Sequence, residues 1–225
     1  MDGIELDVRL SRDGVPVVIH DATLRRTALM TGSVRLLDSK QLAQIDAGTW
    51  FNRVNPKFAR SEYAEERVPT LAQVFEFLRK KPTTIYVEMK SESGAAAKAL
   101  AHAVAKLIKT FEFHDHAVVI SFDLAAIAAV KELDTSIRTG ALFGSNKMAS
   151  RNWGDNILAA TADCGADELL LNRLLARKKL VEKARDAGFP VVVWTVDDSR
   201  WVERARLLKL HALMTNHPAK LLAVR

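Results

Sequence analysis

The chain has 225 residues, of which 48% are hydrophobic and 27% charged, and its formal net charge is +6. This balance excludes a disordered chain, a collagen-like chain and a coiled coil, and the length suits one large domain. A single cysteine, Cys164, excludes an internal disulfide and a cysteine-based zinc site. No apolar run reaches the roughly 18 residues that a membrane helix needs. The basic residues are dispersed, so we expect a phosphate-bearing small molecule rather than nucleic acid as the partner.

Short runs rich in Val, Ile and Leu alternate along the chain with longer helical patterns. The predicted strands are residues 3–8, 15–20, 84–90, 117–122, 137–143, 168–172, 191–196 and 212–216. The predicted helices are residues 70–79, 95–110, 124–132, 155–164, 175–187, 199–208 and 217–224. Strands that alternate with helices are typical of βαβ units and a parallel sheet, which indicates the α/β class.

The first two strands are the exception to this alternation. They are joined by Ser-Arg-Asp-Gly at residues 11–14, and Asp-Gly marks a tight hairpin that would carry His20 back beside the first strand. Residues 21–68 follow with weak periodicity and are too long for an ordinary loop. This length predicts a functional lid or insertion, at about residues 28–68. We expect residues 1–225 to form one domain.

Seven parallel strands remain when the hairpin arm is set aside. A closed TIM (β/α)8 barrel has eight strands and about 250 residues. Because the chain opens abruptly on a strand, the sequence predicts a TIM (β/α)8-type barrel that is missing its first βα unit. The rival is an open doubly wound sheet, but no glycine-rich phosphate loop follows any of the predicted strands.

Acidic side chains share one face of two predicted strands. Glu5 and Asp7 stand two residues apart, and the apolar residues at positions 4, 6 and 8 take the opposite face. Glu88 and Lys90 repeat this geometry at the carboxyl end of a later strand, where barrel active sites lie. Three clustered carboxylates need a cation between them, and oxygen ligands suit Mg²⁺ or Ca²⁺ better than zinc. For the first pair alone, an exposed edge strand explains the pattern equally well.

Four more side chains are candidates for the same site. His20 ends the second strand and could act as a general acid or base near neutral pH. Lys90 could bind phosphate as a point charge, or could be a surface lysine. Trp194 and Phe122 lie near strand ends and could form an apolar wall against a substrate's carbon skeleton, although ordinary barrel packing explains them as well.

Residues 4–27 closely resemble a known family. The run I-E-L-D-V-R-L-S-R-D-G-V-P-V-V-I-H-D-A-T-L-R-R-T is similar to that of the glycerophosphodiester phosphodiesterases. Further matches follow in order: A-G-T-W-F at 47–51, V-P-T-L at 68–71, Y-V-E-M-K at 86–90, S-F at 121–122, V-W-T-V at 193–196 and T-N-H-P at 215–218. The resemblance therefore covers nearly the whole chain.

The resemblance implies a fold, a reaction and a set of site residues. The fold would be a TIM barrel of the phospholipase C-like phosphodiesterase type. The reaction would be the hydrolysis of a small-molecule glycerophosphodiester to glycerol 3-phosphate and an alcohol, with Mg²⁺ or Ca²⁺. The matching positions imply that Glu5, Asp7 and Glu88 bind the metal and that His20 is the second of two catalytic histidines. Lys90 and Trp194 match residues that line the family's substrate site, and Phe122 remains a substrate-binding candidate from its place at a strand end.

The sequence also departs from the family pattern. The family begins with a strand that carries His-Arg-Gly, a tripeptide that these 225 residues do not contain, and Asn216 stands where the family usually has Asp. We therefore expect impaired activity, and self-association across the gap left by the missing strand. The start shows no signal peptide, which predicts a cytoplasmic protein. The alternatives are an inactive barrel that binds phosphodiesters or a protein partner, and a lysophospholipid or sphingolipid phosphodiesterase of the same superfamily.

Overall fold

The computed structural model describes residues 2–81, 83–90, 94–145 and 152–224. Within these residues, one curled sheet contains eight strands in the order β2-β1-β3-β4-β5-β6-β7-β8. The strands are β1 (Gly3–Leu10), β2 (Pro16–Val18), β3 (Thr84–Met89), β4 (Ala117–Ser121), β5 (Arg138–Phe143), β6 (Glu168–Asn172), β7 (Val191–Trp194) and β8 (Ala212–Leu213). All except β2 run parallel to their neighbours, so the predicted α/β class and parallel sheet are confirmed.

Helices follow the parallel strands along the chain. The α-helices are α1 (Ser39–Leu42), α2 (Thr49–Val54), α3 (Leu71–Leu78), α4 (Gly94–Thr110), α5 (Leu124–Leu133), α6 (Trp153–Asp163), α7 (Lys178–Asp186), α8 (Arg200–Leu208) and α9 (Pro218–Leu222). The β1 residues Ile4, Leu6 and Val8 belong to the main apolar cluster, together with buried residues of α3 to α7. The apolar face of β1 predicted at positions 4, 6 and 8 therefore packs against the helices.

A second apolar cluster lies on the opposite, concave face of the sheet. It consists of Tyr86, Val118, Ile120, Leu142, Leu170 and Val192, with Trp194, Ala212 and Met214 packed against it. Side chains alternate between the two faces along each strand. Glu5, Asp7 and Glu88 consequently share the concave side with this inner cluster, away from the helices.

The predicted hairpin forms between β1 and β2. Val8–Leu10 pair antiparallel with Pro16–Val18, and Gly14 takes a φ of +76° in the connecting turn, a conformation that favours glycine. The strand is shorter than the predicted residues 15–20. The N–H of Val18 donates to Pro69, outside the hairpin, and the N–H of Ile19, just past the end of β2, still donates to Asp7 of β1.

The sheet does not close on itself within the described residues. Its two ends are β2 and β8, and β2 covers only the last three residues of β1. On this open side, β1 is therefore paired only at its carboxyl end, with β2, and β8 has no further partner strand among the described residues. A cavity opens between β1 and β8 and reaches the concave face.

Residues 21–68, which include the predicted insertion at about 28–68, form the segment after β2 that is called the insertion from here on. Short helices, among them α1 and α2, surround a small core of Val17, Ile19, Leu24, Val34, Leu42 and Val68. Arg12 in the hairpin turn makes a bidentate pair with Asp38, with N–O distances of 2.8 and 2.5 Å. The insertion is therefore packed on the hairpin that carries His20.

Replacing Gly48 by alanine should destabilise the insertion. A Cβ at Gly48 would lie 1.5 Å from the carbonyl oxygen of Tyr63, so one of the two backbone segments has to move. We expect a loss of about 1–3 kcal/mol in the free energy of unfolding, measured by urea denaturation. Gly154→Ala in α6 is the matched control, because its Cβ would meet only Leu180 at 3.6 Å. Equal stability of Gly48→Ala and wild type would contradict the packing described.

Candidate active site and metal centre

The pairing of β1 with β3 brings the predicted acidic residues together. Asp7 is the register partner of Glu88, and Glu5 lies two residues earlier on the same face of β1. One carboxylate oxygen from each of Glu5, Asp7 and Glu88 lies within 4.8 Å of the others. Such a set of oxygens from two adjacent strands could hold a hard divalent cation.

Burial and mutual repulsion make this cluster electrostatically costly. Burial first, then the charges of Asp7 and Glu88, raise the pKa of Glu5 to about 7. Burial also raises the pKa of Glu88, and Asp7 adds to the effect. Both shifts mean that the ionised forms are disfavoured unless positive charge lies nearby.

Lys90 supplies part of that positive charge. Its Nζ lies 3.2 Å from Asp7 Oδ1 and also contacts Glu88 Oε1. Although burial alone would lower the pKa of Lys90, contacts with these two carboxylates raise it. The sequence suggested a phosphate ligand or a surface lysine; the structure places the ammonium between two acids instead.

Aromatic rings lie on the other side of Lys90. The ring of Phe122 lies 5.7 Å from Lys90 Nζ, and the ring of Trp194 meets Phe122 edge to face at 5.3 Å. Trp194 also lines the cavity, and its indole N–H is buried without a hydrogen-bond partner among the described residues. The two rings thus form a continuous apolar surface beside the charged cluster.

A cavity of about 940 Å³ adjoins the cluster on the concave face. Glu88 and Trp194 line it near the carboxyl ends of β3 and β7, and Glu5 lines it from the first half of β1, whereas Arg138 and His211 line it at the opposite end. Asp7, Lys90, Phe122 and His20 are not part of its lining. The cavity has room for a small phosphodiester, because small-molecule ligands are typically bound in concave sites of this size.

His20 lies beside the cluster, in the segment that follows β2. Arg9 donates from Nε to the carbonyl of His20 at 2.8 Å and from Nη1 to the carbonyl of Lys90 at 3.2 Å, which ties the two strand ends together. The side chain of His20 is 57% exposed, and positive charge on it would lower the pKa of Glu88. The structure therefore brings the histidine to the same mouth of the sheet as the acids.

Sequence reasoning missed the residues that surround His20. Asp21 pairs with the Nδ1 atom of His20 at 2.6 Å, and Arg26 pairs with Asp21. Arg26 in turn lies over the ring of Trp50, at 5.1 Å from its centroid. Asp21 and Arg26 stand in the resembling run at residues 4–27, and Trp50 in A-G-T-W-F, so the motifs contained the signal without revealing the contacts.

Asn216, at the position where the resemblance leads us to expect Asp, contacts Asp197. Its backbone N–H donates to Asp197 Oδ1 at 2.9 Å, and its side-chain amide lies 3.4 Å from Asp197 Oδ2. The Thr215 hydroxyl donates to the same carboxylate. An amide at position 216 can donate to Asp197, where a second carboxylate would repel it.

Comparison with known proteins identifies the family. The sequence profile of the glycerophosphoryl diester phosphodiesterase family matches residues 1–220. The chain belongs to the glycerophosphoryl diester phosphodiesterase family. A glycerophosphodiester phosphodiesterase of Caldanaerobacter subterraneus is 28% identical over 221 residues, which span 98% of this chain and 84% of that protein. The resemblance seen in the sequence is therefore confirmed.

Solved structures of phosphodiesterases share the fold. A phosphodiesterase of Oleispira antarctica, solved in complex with sn-glycerol-3-phosphate, superposes with a TM-score of 0.82 at 23% identity, over 100% of this chain and 85% of that one. A glycerophosphodiester phosphodiesterase of Agrobacterium tumefaciens gives a TM-score of 0.78 at 25% identity, over 99% and 87%. The TIM-barrel-type fold is thus confirmed, and the missing βα unit stays a prediction. No helix of the described residues could cross a membrane.

Replacing Glu5 by glutamine should change how stability depends on pH when divalent ions are chelated. The folded chain keeps a proton on Glu5 up to about pH 7, whereas the unfolded chain loses it near the ordinary value of 4.5. Wild-type stability should therefore fall as pH rises from about 4.5 to 7, and Glu5→Gln should remove this contribution.

The measurement is urea denaturation of both proteins across that pH range, in the presence of a chelator. The stability gained by Glu5→Gln should grow with pH and level off above about pH 7. Glu132→Gln, at an exposed position on α5, is the matched control. A gain that is constant with pH would contradict the repulsion described for the cluster.

Proposed function

We propose that this member of the family hydrolyses glycerophosphodiesters to glycerol 3-phosphate and an alcohol, with Mg²⁺ or Ca²⁺ held by Glu5, Asp7 and Glu88. The observation that carries the proposal is the cluster of three carboxylates within 4.8 Å at the mouth of the sheet. Membership of the family supports the reaction, because the curated relatives carry that activity in their names.

The donor set fits a hard divalent ion. All three ligands are carboxylate oxygens, which Mg²⁺ and Ca²⁺ prefer, and the ammonium of Lys90 already lies against two of them. A bound ion would neutralise the negative charge that develops on the phosphoryl oxygens of the substrate. With an ion present, Lys90 would be released from Asp7 and Glu88 and could contact the substrate phosphate as a point charge.

His20 would carry the proton transfer of this reaction. Hydrolysis breaks the bond between phosphorus and the alcohol oxygen and forms a bond from phosphorus to the oxygen of the nucleophile. If the nucleophile is water, glycerol 3-phosphate forms directly; if it is the glycerol hydroxyl of the substrate, a cyclic phosphate forms first and water then opens it to glycerol 3-phosphate. His20 would take a proton from the nucleophile or give one to the leaving alcohol. The rings of Phe122 and Trp194 would pack against the carbon skeleton, since they form an apolar surface next to Lys90.

Metal binding and hydrolysis test the proposal together. Titration with Mg²⁺ or Ca²⁺ should raise the thermal unfolding temperature of the wild type, because an ion that binds only the folded chain stabilises it. Glu88→Gln should abolish this shift and the release of glycerol 3-phosphate, whereas Glu132→Gln should retain both. Ion binding without hydrolysis of any glycerophosphodiester or lysophospholipid would favour an inactive binding barrel. Absence of both responses in the folded wild type would contradict the proposal.

We further propose that turnover by this 225-residue chain is slow. The resemblance implies two catalytic histidines, and the sequence matches only the second, His20. Loss of one member of an acid/base pair typically lowers the rate by about 10²–10⁴-fold. The value of kcat/KM should be lower by about that factor than that of the Caldanaerobacter subterraneus relative, which is 28% identical. Equal values would contradict this.

The open side between β1 and β8 supports the related proposal of self-association across that side, because exposed strand edges promote pairing between chains. Sedimentation velocity should show a dimer at micromolar concentrations, and a monomer at all concentrations would contradict it.

A further inference from the structure

Packing against apolar neighbours does not fix the imidazole ring of His20. The His20 side chain is 57% exposed, and the inner apolar cluster contains no described residue from the segment that carries His20. A general acid or base has to present one defined nitrogen to the reacting group. The orientation and the tautomer of this ring must therefore come from polar neighbours.

Asp21 provides the first of these neighbours. Its Oδ1 lies 2.6 Å from His20 Nδ1. Hydrogen bonds from Arg26, and then from His20, lower the pKa of Asp21 to about 2, so this carboxylate is ionised and can only accept. In the neutral imidazole, Nδ1 must then carry the proton and donate it to Asp21, and Nε2 is left as the nitrogen that can accept a proton.

Arg26 fixes Asp21 in turn. Its Nε lies 2.7 Å from Oδ2 and its Nη2 lies 3.1 Å from Oδ1, which is a bidentate pair. The guanidinium lies over the ring of Trp50, whose indole N–H donates to the carbonyl of Ala47 at 2.8 Å. The Asp21 carboxylate, which contacts His20, is thus also bound by Arg26, whose guanidinium stacks on Trp50.

The backbone of His20 is fixed as well. Arg9 binds the carbonyl oxygens of His20 and Lys90, and the N–H of Ile19 donates to the carbonyl of Asp7 at 2.9 Å. These contacts place the α-carbon of His20 beside the ends of β1 and β3, where the carboxylates lie. With the backbone held on one side and Asp21 on the other, the ring has little freedom left.

We propose that Asp21 and Arg26 are positioning residues for the reaction, which hold His20 in the Nδ1–H tautomer so that Nε2 exchanges the proton with the substrate. The inference rests on the proposed function of His20. It also gives the insertion a role in the chemistry, since Trp50 and Arg26 both belong to it. The competing explanation is that Asp21 and Arg26 only stabilise the loop.

A spectroscopic test separates the two explanations without any need for turnover. Long-range ¹H–¹⁵N correlation spectra of ¹⁵N-histidine-labelled protein, at a pH about two units above the ordinary histidine pKa of 6.5, report which ring nitrogen carries the proton. His20→Gln identifies the signal. The wild type should show the Nδ1–H tautomer at His20, and Asp21→Ala should shift it towards Nε2–H, the form that free histidine prefers. Asp21→Asn should retain Nδ1–H, because its amide oxygen can still accept.

Kinetics provide the second readout. For Asp21→Ala we expect kcat to fall roughly 10–100-fold with KM unchanged, for Arg26→Gln a smaller fall, and for Asp21→Asn partial rescue. Arg12→Gln is the matched control, because Arg12 makes a similar bidentate pair with Asp38 away from His20. If Asp21→Ala does not fold, Arg26→Gln and Asp21→Asn carry the test.

Two results would overturn the inference. One is an Nε2–H tautomer at His20 in the wild type, and the other is a folded Asp21→Ala protein that keeps both the Nδ1–H tautomer and the wild-type kcat. A wild type that binds no divalent ion and hydrolyses no diester would instead contradict the proposed function, and the tautomer would still decide the role of Asp21.

Discussion

The register between β1 and β3 is the constraint on which the site depends. It places Asp7 directly opposite Glu88, and the alternation of side chains along β1 adds Glu5 on the same face. Three carboxylates that share a partly buried corner repel one another, so their ionised forms are disfavoured unless positive charge lies nearby. Lys90, two residues after Glu88, supplies some of that charge from the same strand end. A divalent ion would supply it more fully, which is why the fold and the proposed chemistry are linked.

Two separate parts of the chain support this corner. The sheet contributes the carboxylates and Lys90, whereas the hairpin and the insertion contribute His20 together with Arg26. Arg9 joins the two parts, because it binds carbonyl oxygens from both. The insertion therefore contributes polar groups beside the histidine. It holds groups that face the histidine, and its own packing depends on close backbone contacts such as that at Gly48.

Local patterns predicted the parallel sheet, the hairpin and the clustering of the acids, because these follow from side-chain alternation and turn residues that act over a few positions. They did not predict the ends of elements: β8 stops at Leu213 rather than at residue 216. Asn216 instead pairs with Asp197, a contact 19 residues away in sequence. The pairing of Lys90 with two acids, and of Arg26 with Asp21, depends on which residues the fold places side by side. The periodicity of a single sequence does not reveal such contacts.

Crystals grown with Mn²⁺ or Ca²⁺ provide the most direct test of the central claim, through the anomalous scattering of the ion. The account predicts an anomalous peak between Glu5, Asp7 and Glu88, at roughly 2.0–2.6 Å from an oxygen of each, with Lys90 Nζ displaced from Asp7. The absence of a peak there at saturating ion, with Lys90 still paired to both acids, would contradict it.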